Sequence, residues 1–150
     1  MSELKPFDDK LAGLLASLSP AGRRQLAGKV AKALRSSQQQ HIKRQQAPDG
    51  TPYAPRKSQP IKGKKGRVKR QMFQKLRTAK YLKAKGTSDS ASVEFVGRVQ
   101  RMARVHHYGL RDRPNRHSDD VQYEARPLLG ISKEDIDLVE NAVITHISLN

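Results

Sequence analysis

The chain has no cysteine and no tryptophan among its 150 residues. The first absence removes disulfides, thiolate zinc sites and cysteine nucleophiles together. The second, with aromatic residues at 5% and apolar residues at 35%, leaves material for only a modest core. Such a chain is expected to draw part of its stability from partners. Long apolar runs are missing too, since nothing approaches the roughly 18 residues a membrane span needs. The start, Met1-Ser2-Glu3-Leu4-Lys5-Pro6, lacks the apolar centre of a signal peptide. These features predict a soluble protein that stays in the cytoplasm where it is made, with no membrane partner. The length fits a single domain over residues 1–150.

Acid is also scarce, and unevenly so. The formal net charge is +16, and residues 62–85 hold eleven Lys or Arg and no acid. This basic arc comprises Lys62, Lys64, Lys65, Arg67, Lys69, Arg70, Lys75, Arg77, Lys80, Lys83 and Lys85. From Asp119 onward seven acids face only Arg126 and Lys133. A molecule so polarised can associate head to tail with its own copies, or offer its basic arc to an acidic partner.

Catalytic constellations are likewise missing. His106-His107 is the best base or metal candidate, but neighbours on a helix point about 100° apart. No His-Glu-x-x-His pattern completes a site around them. His41, His117 and His146 stand without partners at ligand spacing. Neither phosphate-binding glycine motif occurs, and Lys62-Gly63-Lys64-Lys65-Gly66-Arg67 is too basic and wrongly spaced for one. The reading is a protein that is not an enzyme and takes no cofactor or metal.

What the sequence does contain is a run of short elements. Leu4, Phe7, Leu11, Leu14 and Leu18 describe one apolar helix face. Ser19-Pro20 then restarts the chain as a cap followed by proline at the first helical position. The second helix carries Leu26, Val30, Ala33, Leu34 and Ile42 on its apolar face. Its glutamines, Gln38 to Gln40 with Gln45 and Gln46 beyond, predict a solvated polar half, with packing against another subunit as the alternative. Pro48-Asp49-Gly50-Thr51-Pro52 stops it, and residues 47–68 hold too few apolar side chains to fold alone. A long basic loop, mobile in the monomer, is expected there.

Met72, Phe73 and Leu76 suggest a short helical turn. Residues 81–85 and 91–96 alternate about Gly86-Thr87-Ser88-Asp89, a hairpin signal. Val99 to Tyr108 have helical spacing, residues 110–120 read as a polar loop, and Val121 to Ala125 as a third strand. A closing helix starts near Ser132, with Ile136, Val139, Val143 and Ile147 as its buried stripe. The sum is an α+β fold with N-terminal helices, a small antiparallel sheet, a C-terminal helix and a long basic loop.

Two strings are more specific than the rest. Ala103-Arg104-Val105-His106-His107-Tyr108-Gly109 ends a helix on glycine, and Glu124-Ala125-Arg126-Pro127-Leu128-Leu129-Gly130 places an arginine at a proline-fixed corner. Together with the proline-rich Pro48 to Lys57 stretch, they resemble the virion morphogenesis family of tailed bacteriophages, of the contractile-tail type. The family element of histidine, aromatic and glycine is matched by His106 or His107 with Tyr108 and Gly109. Its Ala-Arg-Pro element is matched by Ala125, Arg126 and Pro127. The likeness spans residues from about Leu34 to the C-terminus.

That resemblance implies a structural assembly protein which finishes or terminates the head-proximal end of a phage tail and readies it for joining to the head. It implies a ring-like homo-oligomer, sixfold to match the tube. Further partners would be tail tube and sheath proteins and head–tail connector proteins. The implied location is the virion tail, after assembly in the host cytoplasm. The residues it brings forward as a partner interface are Tyr53, Arg56, Lys57, His107, Tyr108, Gly109, Arg126 and Pro127. For Arg126 a second role stands beside this one, an intrachain clamp on carbonyls or acids. The competing function is a basic nucleic-acid-binding module, with the arc following phosphates and Tyr53 or Phe73 stacking on bases. In the assembly reading that arc faces the C-terminal acids of the next subunit in the ring, with nonspecific DNA contact in addition.

Overall fold

The computed structural model describes residues 9, 13, 18–56 and 71–148. Among them are three helices, α1 (Pro20–Lys43), α2 (Gly97–Tyr108) and α3 (Lys133–Ser148). Two small antiparallel sheets accompany them, β1 (Leu82–Gly86) with β2 (Ala91–Phe95), and β3 (Arg111–Asp112) with β4 (Val121–Gln122). The class is α+β, as the sequence indicates. The expected helix through Leu4, Phe7, Leu11 and Leu14 lies outside the described residues.

Helix α1 begins where its cap places it. The Ser19 hydroxyl accepts the Gly22 N–H at 3.1 Å, and the Ser19 carbonyl accepts the Arg23 N–H at 2.8 Å. Two donors of the first turn are thereby satisfied. Pro20, which has no N–H to leave unpaired, fills the first helical position.

The described residues group into two compact units. One draws on the described residues up to Ser36, Ala84–Glu94 and Lys133–Ser148. Its core is Leu26, Val30 and Val143, against which Leu18, Leu34, Ala91, Val139, Ala142 and Ile147 pack. Val139, Val143 and Ile147 of the expected α3 stripe pack there, joined by buried Asp135 and His146, while Ile136 is half-buried. His146 is accommodated there by polar contact, its Nδ1 accepting from Lys29 Nζ at 3.3 Å. Gly86 ends β1 against the backbone of α1, where an added Cβ would stand 2.6 Å from the Ala27 carbonyl carbon. Only glycine permits that approach.

The other unit draws on the described residues of 37–56 and 71–83 and on Phe95–Ser132. Here Gln38, Gln39 and Gln45 correct the solvated-face expectation, while Gln40 is exposed as expected. Gln38 is 3% exposed and its Oε1 accepts the Gly130 N–H at 3.1 Å. Gln39 donates to the Arg77 carbonyl at 2.9 Å. Gln45 closes α1 in the left-handed region at φ 58, a conformation that costs a non-glycine residue about 1 kcal/mol. Its side chain offsets this by holding Met72 from both sides, donating to the carbonyl at 3.0 Å and accepting the N–H at 3.1 Å. Amides are suited to such bridging because each carries donors and an acceptor.

The third strand expected at Val121 to Ala125 does not join the hairpin. Arg111 instead pairs with Gln122 and Asp112 with Val121, and the Tyr123 N–H continues the ladder to the Leu110 carbonyl at 3.1 Å. Gly109 turns the chain directly from α2 into β3, which pairs with Val121–Gln122 across the polar stretch between them. Met72 to Leu76 form turns, with a single helical hydrogen bond from the Arg77 N–H to the Phe73 carbonyl at 3.0 Å. The expected long loop opens as a held turn. Ala47 and Thr51 bond at 2.8 Å, Gln46 bridges to Pro52, and Ala47 and Tyr53 are buried. The remainder of that loop, residues 57–68, lies outside the described residues.

Candidate functional site

The two singled-out strings meet at one corner of the second unit. Helix α2 stops at Gly109, whose backbone at φ 68 and ψ 56 is left-handed and whose N–H returns to the Val105 carbonyl. An added Cβ at Gly109 would lie 2.6 Å from the Ala125 nitrogen. Helix end and Ala-Arg-Pro segment therefore touch backbone to backbone. Alongside, the Arg126 N–H bonds the His106 carbonyl at 2.8 Å, and the Leu128 N–H bonds His107 Nδ1 at 3.1 Å.

Arg126 is 8% exposed. Its Nε donates to the Ala54 carbonyl at 2.9 Å and its Nη2 to the Pro55 carbonyl at 3.0 Å. A planar fork presents separate N–H donors in fixed geometry to two successive carbonyls, which an ammonium offers only from a single point. The buried guanidinium thus fixes the first part of the proline-rich stretch. Tyr53 secures the same stretch from the other side, its hydroxyl donating to the Pro127 carbonyl at 2.8 Å. Burial pushes the Tyr53 phenol pKa up, so it remains a donor.

An aromatic row runs beneath the corner. Tyr53 meets Phe73 edge-on at 5.8 Å, Phe73 meets His106 at 5.2 Å, and His106 meets Tyr123 at 4.8 Å. Phe73 adopts a positive φ of 63, unusual for a bulky residue, with its ring set between Tyr53 and His106. Both Tyr53 and Phe73 are thereby engaged in packing, and Tyr53 is too buried to stack on a base. His106 and His107 have pKa values below the ordinary one, both chiefly through burial, and His106 additionally through the charge of Arg126. The doubled histidines divide the work, His106 with its ring in the aromatic row and His107 as acceptor for Leu128.

Polar support comes from α1. His41 Nδ1 lies 2.8 Å from the Gln46 carbonyl and His41 Nε2 lies 3.0 Å from Gln38 Oε1, the atom that also takes the Gly130 N–H. Gln38, His41, Phe73 and Tyr123 were not singled out as corner residues from the sequence. The three-residue step from Gln38 to His41 on one helix face was the available signal. Among the described residues no group of three or more His, Asp or Glu is placed to hold a metal ion.

The remaining expected residues fall in two sets. Tyr108, Arg56 and Lys75 are exposed, Tyr108 at 64%, and Arg77 is half-buried. Lys57, Lys62, Lys64, Lys65, Arg67, Lys69 and Arg70 lie outside the described residues. A second basic surface appears instead on α2 and the β3–β4 ribbon, where Arg98, Arg101, Arg104, Arg111, Arg113 and Arg116 are all exposed. Two of these have acidic partners, Arg101 with Asp112 at 2.7 Å and Arg113 with Asp120 at 3.5 Å. The Arg101 hydrogen bond holds the Asp112 carboxyl below its usual pKa. The sequence signal was plain, six arginines and one acid between residues 98 and 116.

The described residues here form a braced corner together with a set of exposed arginines. The chain is 46% identical over 148 residues to tail completion protein S of Escherichia phage P2, covering 98% of this chain and 99% of that protein. No solved structure matches it significantly. The profile of the phage virion morphogenesis family matches residues 2–148, and the chain belongs to that family.

Proposed function

We propose that this protein completes the head-proximal end of a phage tail and makes that end competent to join the head. The observation that carries the reading is the 46% identity, over nearly the whole of both chains, to a protein named for tail completion. In this role the protein is structural and does not catalyse a reaction. It acts as a ring-like homo-oligomer of sixfold order at the head-proximal end of the tail, assembled in the host cytoplasm and retained in the virion tail. Its neighbours are tail tube and sheath proteins on one side and head–tail connector proteins on the other.

The geometry supports such a part. A protein that caps a polymer needs a frame that keeps its shape under load, and the corner at Arg126 supplies one from backbone contacts and a buried fork. Its exposed arginines and Tyr108 belong to the residue types that dominate protein interfaces.

A basic nucleic-acid-binding module is the second reading, favoured by the six exposed arginines. Incubating purified protein with isolated tails, and separately with duplex DNA across a salt series, distinguishes the two. Saturable binding at one end of the tail, seen by electron microscopy, is expected. Tight DNA binding with a steep salt slope and no attachment to tails would overturn the proposal in favour of the module.

A further inference from the structure

Two helix faces in this chain carry matching patterns of opposite sign. On α2, Arg101, Arg104 and Tyr108 stand at positions i, i+3 and i+7 and are all exposed. On α3, Asp137, Glu140 and Ile144 stand at the same steps, Asp137 and Ile144 exposed and Glu140 half-exposed. Residues at this spacing share one side of a helix. Each face thus presents two like charges followed by an apolar side chain open to water. Tyr108 is 64% exposed and Ile144 50% exposed.

Neither face is satisfied within the chain. Among the described residues Arg104, Asp137 and Glu140 make no ion pair. Arg101 touches Asp112, yet its side chain remains 83% exposed and such pairs contribute little.

We infer that the Arg101–Arg104–Tyr108 face of α2 docks on the Asp137–Glu140–Ile144 face of α3 in a second copy of this chain. The inference rests on the proposed ring and names the surfaces that would form it. The contact is heterologous, one face meeting a different face, so each subunit keeps a free half on either side and the arrangement repeats. Cations opposite acids set the register, while Tyr108 and Ile144 provide apolar area that a phosphate backbone would leave uncovered. A polyanion would also leave the acidic face of α3 unexplained. A second copy satisfies both faces at once.

Charge reversal tests the contact, using Arg104→Glu and Glu140→Arg because neither native residue pairs within the chain. Each variant is first checked for an unchanged circular dichroism spectrum and melting temperature. Sedimentation velocity then compares low and high ionic strength. Wild-type protein is expected to self-associate at low salt. Either variant alone should lose that association by at least about tenfold in dissociation constant. An equimolar mixture of the two should regain it, because each α2 face then meets an opposite α3 face in the other variant.

Three results would overturn the inference: a wild-type chain that stays monomeric throughout, variants that associate as the wild type does, or a mixture that fails to recover. Unchanged self-association with lowered retention on duplex DNA for Arg104→Glu would assign the α2 face to a polyanion and overturn it as well. In each case a phage that still requires the chain for finished tails would leave the proposed role standing.

Discussion

Gly109 and Arg126 are where single side chains decide the structure. At Gly109 a side chain meets both a left-handed backbone and the Ala125 nitrogen at 2.6 Å. Gly109→Ala is therefore expected to lower stability by about 2–4 kcal/mol, read from urea unfolding. Arg126→Lys keeps the charge but cannot bond the Ala54 and Pro55 carbonyls as a fork. A loss of about 1–3 kcal/mol is expected, with faster proteolysis of the stretch after Ala47. The same corner gives a pH dependence. His107 accepts the Leu128 N–H, and burial holds its pKa below 6.5, so the unfolded chain takes up the proton first. Stability is then full above the unfolded value of 6.5 and falls as pH drops through the lowered folded value, with His106 acting in the same direction. His107→Asn preserves an acceptor that does not titrate, so its melting temperature should fall less than the wild type's between about pH 7.5 and about pH 5. The glycine, arginine and proline were legible in the sequence because each is needed for a backbone reason. The hydrogen bond of His107 was not, because it depends on where a segment twenty-one residues later comes to rest.

At the scale of elements, the helix α1 cap, the hairpin and the glycine stop of α2 follow from local rules and were readable. The second sheet was not, since strands of two residues carry no periodicity and their pairing is set by the turn that brings them together. The glutamines mislead for a related reason: polarity predicts solvent, whereas a buried amide is favourable once its bonds are met. Gln45 puts this to a direct test. Gln45→Gly removes the left-handed strain and also the bridge to Met72. If strain dominated, the variant would gain about 1 kcal/mol. The bridge is expected to dominate, giving a net loss of about 1–2 kcal/mol in equilibrium unfolding. The α3 stripe shows the limit of apolar periodicity, because Asp135 and His146 occupy positions of the buried face that hydropathy assigns to solvent.

For the whole molecule, charge is the property that reaches furthest. A net +16 gathered in the middle of the chain, with acids toward the end, was visible from composition. The exposed arginine face of α2 was visible as a count but not as a surface, since only the fold shows which arginines share a side. The braced corner and that face together describe a part built to be touched on several sides and to hold its shape. The chain belongs to the virion morphogenesis family and is 46% identical, over 98% of its length, to a tail completion protein. The decisive measurement is electron microscopy of lysates from phage that lack this chain. Filled heads and full-length tails lying unjoined are expected, with joined particles restored when the purified protein is added. Normally joined, infectious particles in its absence would contradict the proposed role.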